Sequence, residues 1–438
     1  METAEIQKNS RKYTPKGASI WLVILCWTLY TTIYISRGNL SIVRSIMIDK
    51  GVFDVGVAGI VGAVYFTTYA LGQVINGVIA DKRPPFLMVL GGLIVAFVGN
   101  FGMSFHQPPL MYAVWWGLNG FGQSMLWSPV FYIVSNMIDP KYRYIAVIAL
   151  GISAPVGKVA SSLGSGIAIG DGIWENAFYF GSFTLAAVSL LWVAGYLSVK
   201  KRIVELKPDN EKDEKLKNKE KISFRRSFEH IRRGGFFLFI PALIAYGLFY
   251  NGIVEIVPSL LTESYGMSPS SAAVLNTVIP IIGIVGVLIS KWIYRLCRNN
   301  ELTSSLVSMS LCLIPVLAMF AVSVLGGEDG FLFSQETDAW FFVISYGLIY
   351  MLQCTFGTFM ISYVPLKFAT FGCAAMATGI FNAVANVGSA ISIYGMSYAV
   401  ELLPLWVTIS VWIGVITVAC IVMIPALVRW RKFTNNKL

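Results

Sequence analysis

Charge is scarce in this sequence: Asp, Glu, Lys and Arg make up 13% of its 438 residues, while 56% are hydrophobic. A soluble globular domain is excluded on that balance. Missing too are segments of about ten residues alternating apolar and polar side chains, which removes the transmembrane β-barrel. Histidine occurs twice, as His106 and His230, with no partner pattern. The six cysteines (Cys26, Cys297, Cys312, Cys354, Cys373, Cys420) include no CxxC and no metal-ligand spacing, so they read as buried reduced thiols, with no metal site and no cofactor. There is no P-loop, no GxSxG and no HExxH, which argues against an enzyme and against ATP-driven transport by this chain. No A-x-A cleavage site follows the polar start, so the first apolar segment is expected to serve as the insertion signal.

What the sequence does contain is apolar runs long enough to cross a bilayer as helices. Twelve spans are expected at roughly 17–43, 54–80, 85–105, 109–137, 144–168, 174–198, 235–261, 267–290, 302–325, 338–362, 373–397 and 404–428. Backbone groups in hydrocarbon must be satisfied internally, which helices achieve. The net charge of +10 would suit nucleic acid in a soluble protein. Here the basic residues fall on alternate connections: Lys8, Arg11, Lys12 and Lys16; Lys82 and Arg83; Lys141 and Arg143; the 200–233 segment; Lys291, Arg295 and Arg298; Lys367; Arg429, Arg431 and Lys432. Asp49, Asp54, Asp171, Glu175, Glu263, Glu328, Asp329, Glu336 and Glu401 mark the others, with Lys50 the exception. The positive-inside rule then places both termini in the cytoplasm of a multi-pass cell-membrane protein, whose partner is the lipid bilayer and not nucleic acid.

Lys200 to Arg233 holds thirteen basic and seven acidic residues and scarcely an apolar run. It reads as a cytoplasmic linker, partly helical and touching anionic headgroups, or as a regulatory docking site. The chain divides accordingly into an N-terminal six-helix half (1–199), the basic linker (200–233) and a C-terminal six-helix half (234–438). The halves repeat. Gly77 to Lys82 resembles Gly286 to Lys291; Gly117, Leu118 and Gln123 match Gly347, Leu348 and Gln353; Gly151, Ile152, Val156, Val159 and Ser161 match Gly379, Ile380, Val384, Val387 and Ser389. A six-plus-six duplication points to a transporter whose substrate sits near the midplane between rocking halves.

Within the spans, ionisable residues are few. Arg37, in Tyr34-Ile35-Ser36-Arg37-Gly38-Asn39, either faces a watery interior, or snorkels or pairs with a carboxylate such as Glu255. Lys158 either shares that cavity or pairs elsewhere; Arg44 lies closer to the outer face. Two cations at one cavity favour an anion, gripped in bidentate fashion by the guanidinium. Glu255 is expected to pair with a cation when the site is empty, or to carry a proton. Tyr34, Asn39, Gln73, Gln123, Trp127, Tyr250, Asn251 and Asn386 either hydrogen-bond a polar ligand or hold helices together. Asp81, Lys82 and Arg83 read as a conformational latch.

These residues resemble the major facilitator superfamily and, within it, the organophosphate:phosphate antiporters, which include bacterial glycerol-3-phosphate and hexose-phosphate transporters. Tyr34 to Asn39 carries the likeness, with Gly77 to Lys82 as a shortened loop motif, Gln123-Ser124-Met125-Leu126-Trp127-Ser128-Pro129 as a counterpart of Q-G-x-G-W-P-P, and Tyr363 to Gly379. The resemblance implies an all-α fold of twelve transmembrane helices in two pseudo-symmetric halves, functional as a monomer. It implies that Arg37 is the first phosphate-binding arginine and that Glu255 matches an acidic residue of the seventh helix. The family's second arginine falls at Tyr250, its second-helix lysine at Gln73 and its fifth-helix histidine near Ala154 or Pro155, so charge has been lost here, and Lys158 restores one positive charge.

The expected function is secondary transport of a small organic anion, a phosphate ester exchanged for inorganic phosphate by alternating access. The alternatives are proton- or sodium-coupled uptake of a sugar acid or other carboxylate and, from another class, a transporter-like receptor.

Overall fold

The structure is a computed structural model describing residues 13–80, 83–170, 172–205, 224–326, 332–371 and 373–435. Asp81 and Lys82 of the expected latch lie outside the described residues, as do 206–223 of the expected linker and Lys8, Arg11, Lys12, Asp171, Glu328 and Asp329. The described residues form helices and no strand. The first half holds six spans: Lys16–Asp49, Val55–Ala80, Pro85–Gly102, Pro109–Asn136, Pro140–Ile169 and Glu175–Val199. Proline opens the third, fourth and fifth, where its missing N–H costs nothing. The first span runs on to Asp49, six residues beyond the expected end at 43, so Arg37 stands well inside the helix.

A short amphipathic helix, Phe224–Arg233, follows. Ile231 is buried, while Glu229 bridges Arg232 and Arg233 at 2.7 and 3.2 Å on the exposed side, where such pairs contribute little. The second half is more broken. Its seventh span runs Phe236–Gly247, passes through a π-helical turn at Leu248–Gly252 and a 3₁₀ turn at Ile253–Glu255, and finishes as Val257–Tyr265. The eighth and ninth are each two segments, Pro269–Asn276 with Val278–Leu296 and Glu301–Leu311 with Leu313–Leu325. The tenth, Gln335–Gly357, also ends in a π-helical turn, Thr358–Tyr363, before Val364–Lys367. Ala374–Leu402 and Leu405–Thr434 complete twelve spans.

Among the described residues, eleven helical spans are long and apolar enough to cross a membrane. Pro109–Asn136 is not among them, because it carries Asn119, Gln123, Ser124, Ser128 and Ser135, all buried against its neighbours. Asn76 Nδ2 donates to Ser124 Oγ (2.9 Å) and Gln73 Nε2 to the Ser124 carbonyl (3.3 Å), so polar groups fasten the second span to the fourth. Asn39 Nδ2 donates to Asn100 Oδ1 (3.2 Å) and Asn100 Nδ2 to the Ser36 carbonyl (2.6 Å), fastening the first span to the third. Interhelical hydrogen bonds of this kind are worth about 0.6 to 2 kcal/mol in a bilayer.

The repeated segments meet each other across the two halves. Near the face carrying the chain ends, Gly77 of the second span crosses Gly379 of the eleventh so closely that a Cβ on Gly77 would stand 3.5 Å from the Gly379 Cα. The symmetry-related pair is Gly151 of the fifth against Val287 of the eighth, where an added Cβ would lie 2.8 Å from Cγ1. Tyr144 also stacks on Tyr363 (6.3 Å) beneath Lys291 Nζ (5.2 Å). Toward the opposite face Gly62 faces Ile393, so the halves touch on both sides of a central cavity. Arg83, the described member of the expected latch, is exposed, and its N–H bonds the Ile79 carbonyl at 3.0 Å.

Within the second half, a side chain on Gly247 would overlap the Ala385 carbonyl oxygen. We expect Gly247→Ala to destabilise by about 1–3 kcal/mol through overpacking. Gly414→Ala, where nothing lies within 4 Å, should be neutral or stabilising by up to about 1 kcal/mol. Melting in detergent micelles checks the pair, and equal shifts would contradict the packing.

Candidate functional site

The cavity between the halves measures about 60 Å³, room for a few waters or one small ligand. Its walls follow helical spacing. Tyr30, Tyr34 and Arg37 lie at i, i+4 and i+7 of the first span, Tyr246 and Tyr250 at i and i+4 of the seventh, and Asn382 and Asn386 at i and i+4 of the eleventh. Trp127 of the fourth and Ser362 of the tenth close the side nearer the chain ends.

Arg37 is 5% exposed. Its guanidinium carbon lies 5.5, 5.1, 4.6 and 5.2 Å from the ring centroids of Tyr34, Tyr65, Phe66 and Tyr69. Each ring face offsets part of the cation's desolvation, by about 0.5 to 2 kcal/mol, but a ring accepts no in-plane hydrogen bond. Nε and Nη2, which form one fork of the guanidinium, have no hydrogen-bond partner among the described residues, and no carboxylate forms an ion pair with Arg37. A second cavity of about 40 Å³ begins on the other side of Arg37 and is lined by Ser41, Arg44, Trp116 and Glu255. The guanidinium therefore stands between the two spaces.

Glu255 is half-buried at the end of the 3₁₀ turn of the seventh span. The expected ion pair with Arg37 or Lys158 is not formed in this structure, although Glu255 lines the second cavity together with Arg37. Lys158, 8% exposed, does not line the central cavity. Its Nζ donates to the Tyr250 carbonyl at 3.1 Å and sits 5.2 and 5.1 Å from the Tyr250 and Tyr350 rings.

The sequence-predicted residues therefore separate into two groups. Arg37, Tyr34, Trp127, Tyr250, Asn251 and Asn386 come together around the cavity. Gln123 does not: it accepts from Tyr65 (2.6 Å) and donates to Asn119 (3.0 Å) and Ser36 (3.3 Å), so it holds the Tyr65 ring against Arg37 from behind. Asn39 and Gln73 also lie in helix-to-helix contacts. Tyr30, Tyr69, Tyr246, Thr358, Ser362 and Asn382 line the cavity without having been expected there. The four-residue spacings Tyr30/Tyr34, Tyr246/Tyr250 and Asn382/Asn386 were the available signal.

Among open hydrogen-bonding atoms, the Oδ1 atoms of Asn251 and Asn386 lack donors, while Asn386 Nδ2 is held by the Asn382 carbonyl (2.6 Å). Trp127 Nε1 donates to Thr378 Oγ1 (2.9 Å) across the halves, and Thr378 Oγ1 donates to the Ile361 carbonyl (2.6 Å) in the π-helical turn of the tenth span. Among the described residues no three His, Cys, Asp or Glu side chains are placed to hold a metal. The chemistry on offer is non-covalent: a cation with an unpartnered fork at one wall, unpartnered amide oxygens at the other, and aromatic faces between.

The chain belongs to the Major Facilitator Superfamily, whose signature it matches over residues 26–393. Among curated relatives it is 23% identical over 311 residues to the glycerol-3-phosphate transporter of Bacillus subtilis, covering 66% of this chain and 68% of that one. A probable hexose phosphate transport protein of Chlamydia pneumoniae is 22% identical over 182 residues, 41% of this chain; the chain spans only 38% of that relative's length. A phosphoglycerate transporter protein of Salmonella typhimurium is 25% identical over 167 residues, covering 37% of this chain and 36% of that protein. The fold is shared with a bacterial homologue of the human lysosomal transporter Spinster in an inward-facing, unoccupied conformation, at a TM-score of 0.66 with 14% identity over 97% of this chain and 99% of that one.

A buried cation without a hydrogen-bonding partner is destabilising. Arg37→Met is expected to raise the melting temperature of the ligand-free protein while abolishing any stabilisation by anions. A fall in melting temperature with anion protection intact would show that Arg37 is structural.

Proposed function

We propose that this chain is a secondary active transporter that moves a small organic anion, a phosphate ester, in exchange for inorganic phosphate by alternating access. The observation that carries this reading is the unpartnered Nε/Nη2 fork of Arg37, buried in an aromatic cage between two cavities. An acceptor with two oxygens and negative charge matches such a fork best, which favours phosphate or carboxylate over a neutral ligand. The unpaired oxygens of Asn251 and Asn386 suit hydroxyl donors on the organic portion of the ligand. Relatives named for hexose phosphate, glycerol-3-phosphate and phosphoglycerate support the phosphate ester over other anions.

The wider frame of the proposal is a carrier that is not an enzyme, acts as a monomer and needs no cofactor. It is a cell-membrane protein with both termini in the cytoplasm, where alternate loops collect the Lys and Arg residues. Its halves divide at the basic segment 200–233, and Asp81, Lys82 and Arg83 act at the gate on that side.

One observation favours a second reading. Gln73 and Tyr250 are neutral where the antiporter resemblance sets a lysine and an arginine, and a thinner positive field suits a monoanionic carboxylate carried with protons or sodium. A receptor that binds the same anion without moving it is the third reading, with the basic segment as its docking surface.

Uptake of labelled inorganic phosphate into proteoliposomes separates these. Exchange that requires internal phosphate and disappears in Arg37→Lys is the expected result, because an ammonium cannot reproduce the fork. Uptake driven by an inward proton or sodium gradient and indifferent to internal phosphate would replace antiport by symport. Saturable binding without flux would make the protein a receptor.

A further inference from the structure

The contacts of Lys158 are unusual for a residue in the middle of a carrier: a side chain of the first half holds the backbone of the second. Lys158 belongs to the fifth span, and its Nζ donates to the Tyr250 carbonyl, inside the π-helical turn Leu248–Gly252 of the seventh. A π turn shifts the helical hydrogen-bond register, and a carbonyl released from the regular ladder needs another donor. Two neighbouring carbonyls are met from within the second half, Phe249 by the Tyr346 hydroxyl and Gly247 by the Ser389 hydroxyl (2.9 Å). Tyr250 is met from across the interface by a charged donor, the stronger kind of hydrogen bond. The Tyr250 and Tyr350 rings stack on each other at 5.1 Å, and the ammonium sits against the side of that stack, outside the cavity that contains Arg37.

Resting on the anion-exchange reading above, we infer that Lys158 is a ligand-released tether: in the empty carrier it locks the two halves through Tyr250, and an anion on Arg37 draws the ammonium off that carbonyl. The carbonyl offers a partial charge; a phosphate in the adjoining cavity offers a full one and competes for the same ammonium. The empty protein is then held against changing sides, while the loaded one is free to do so. This is the condition for exchange without leak. Lys158 is thus a positioning residue that sets coupling, and the loss of one charged hydrogen bond shifts the locked equilibrium by about tenfold or more.

Two measurements on the full chain test the tether. Hydrogen exchange of the 246–258 segment, read without ligand, should rise about tenfold in Lys158→Met relative to wild type and rise in wild type on adding inorganic phosphate. In liposomes, the ratio of phosphate uptake into phosphate-loaded vesicles to uptake into empty ones should be high in wild type, near one in Lys158→Met, and largely restored in Lys158→Arg. Unchanged hydrogen exchange in the folded Met variant would overturn the tether, as would a preserved ratio. Loss of phosphate binding with an unchanged exchange pattern would also overturn it, making Lys158 a direct substrate ligand. If wild type shows no phosphate exchange at all, the transport reading fails, and hydrogen exchange in the Met variant alone decides whether Lys158 locks the halves.

Discussion

The structure depends on one unpaid electrostatic debt, the charge of Arg37. A guanidinium buried in the middle of a membrane-spanning helix, with an unpartnered fork and no ion-paired carboxylate, requires surroundings that tolerate a cation without neutralising it. Four aromatic faces supply that tolerance. Their placement explains contacts that otherwise look remote from the site: Gln123 receives the Tyr65 hydroxyl and so fixes a wall of the cage, and Gln123 is in turn held by Asn119 and Ser36. Pairing Arg37 with a protein carboxylate would have satisfied that fork from within the protein.

The two halves share a topology but divide the work. The first supplies both midplane cations, on long continuous helices. The second supplies amides and two helices with π-helical turns, at Leu248–Gly252 and Thr358–Tyr363, both bordering the cavity. Each turn exposes a backbone carbonyl to a chain of contacts from the first half: Tyr250 receives Lys158, and Ile361 receives Thr378, which holds Trp127. A rigid charged half thus grips a half whose backbone has local slack, and backbone slack is where a helix bends.

Much of this was legible in the residues. Apolar run length gave the spans, and of the repeated glycines Gly77, Gly151 and Gly379 lie where the halves cross, while Gly286 packs on Met351 within its own half. Arg37 stood out because its cost in a membrane is large. Other features were hidden for physical reasons. Whether Gln123 faces a ligand or a neighbouring tyrosine depends on a rotation that composition does not encode. The ion pair expected for Glu255 needed a distance: the side chain lines one small cavity with Arg37 yet forms no ion pair with it or with Lys158. The π turns carry no composition rule, and the tyrosine wall was readable only through its four-residue spacing.

The fourth span, whose polar side chains keep it from qualifying as a membrane crossing by composition, has a consequence for how the protein is made. Alone in a bilayer, Asn119, Gln123, Ser124 and Ser128 would meet hydrocarbon, and the helix would partition poorly. Its insertion therefore depends on neighbours already in place, with the second span offering Tyr65 and Asn76 as partners and the first offering Ser36. Biogenesis is cooperative at this step: the helices that will cage the arginine must be present before the helix that steadies the cage can stay in the membrane.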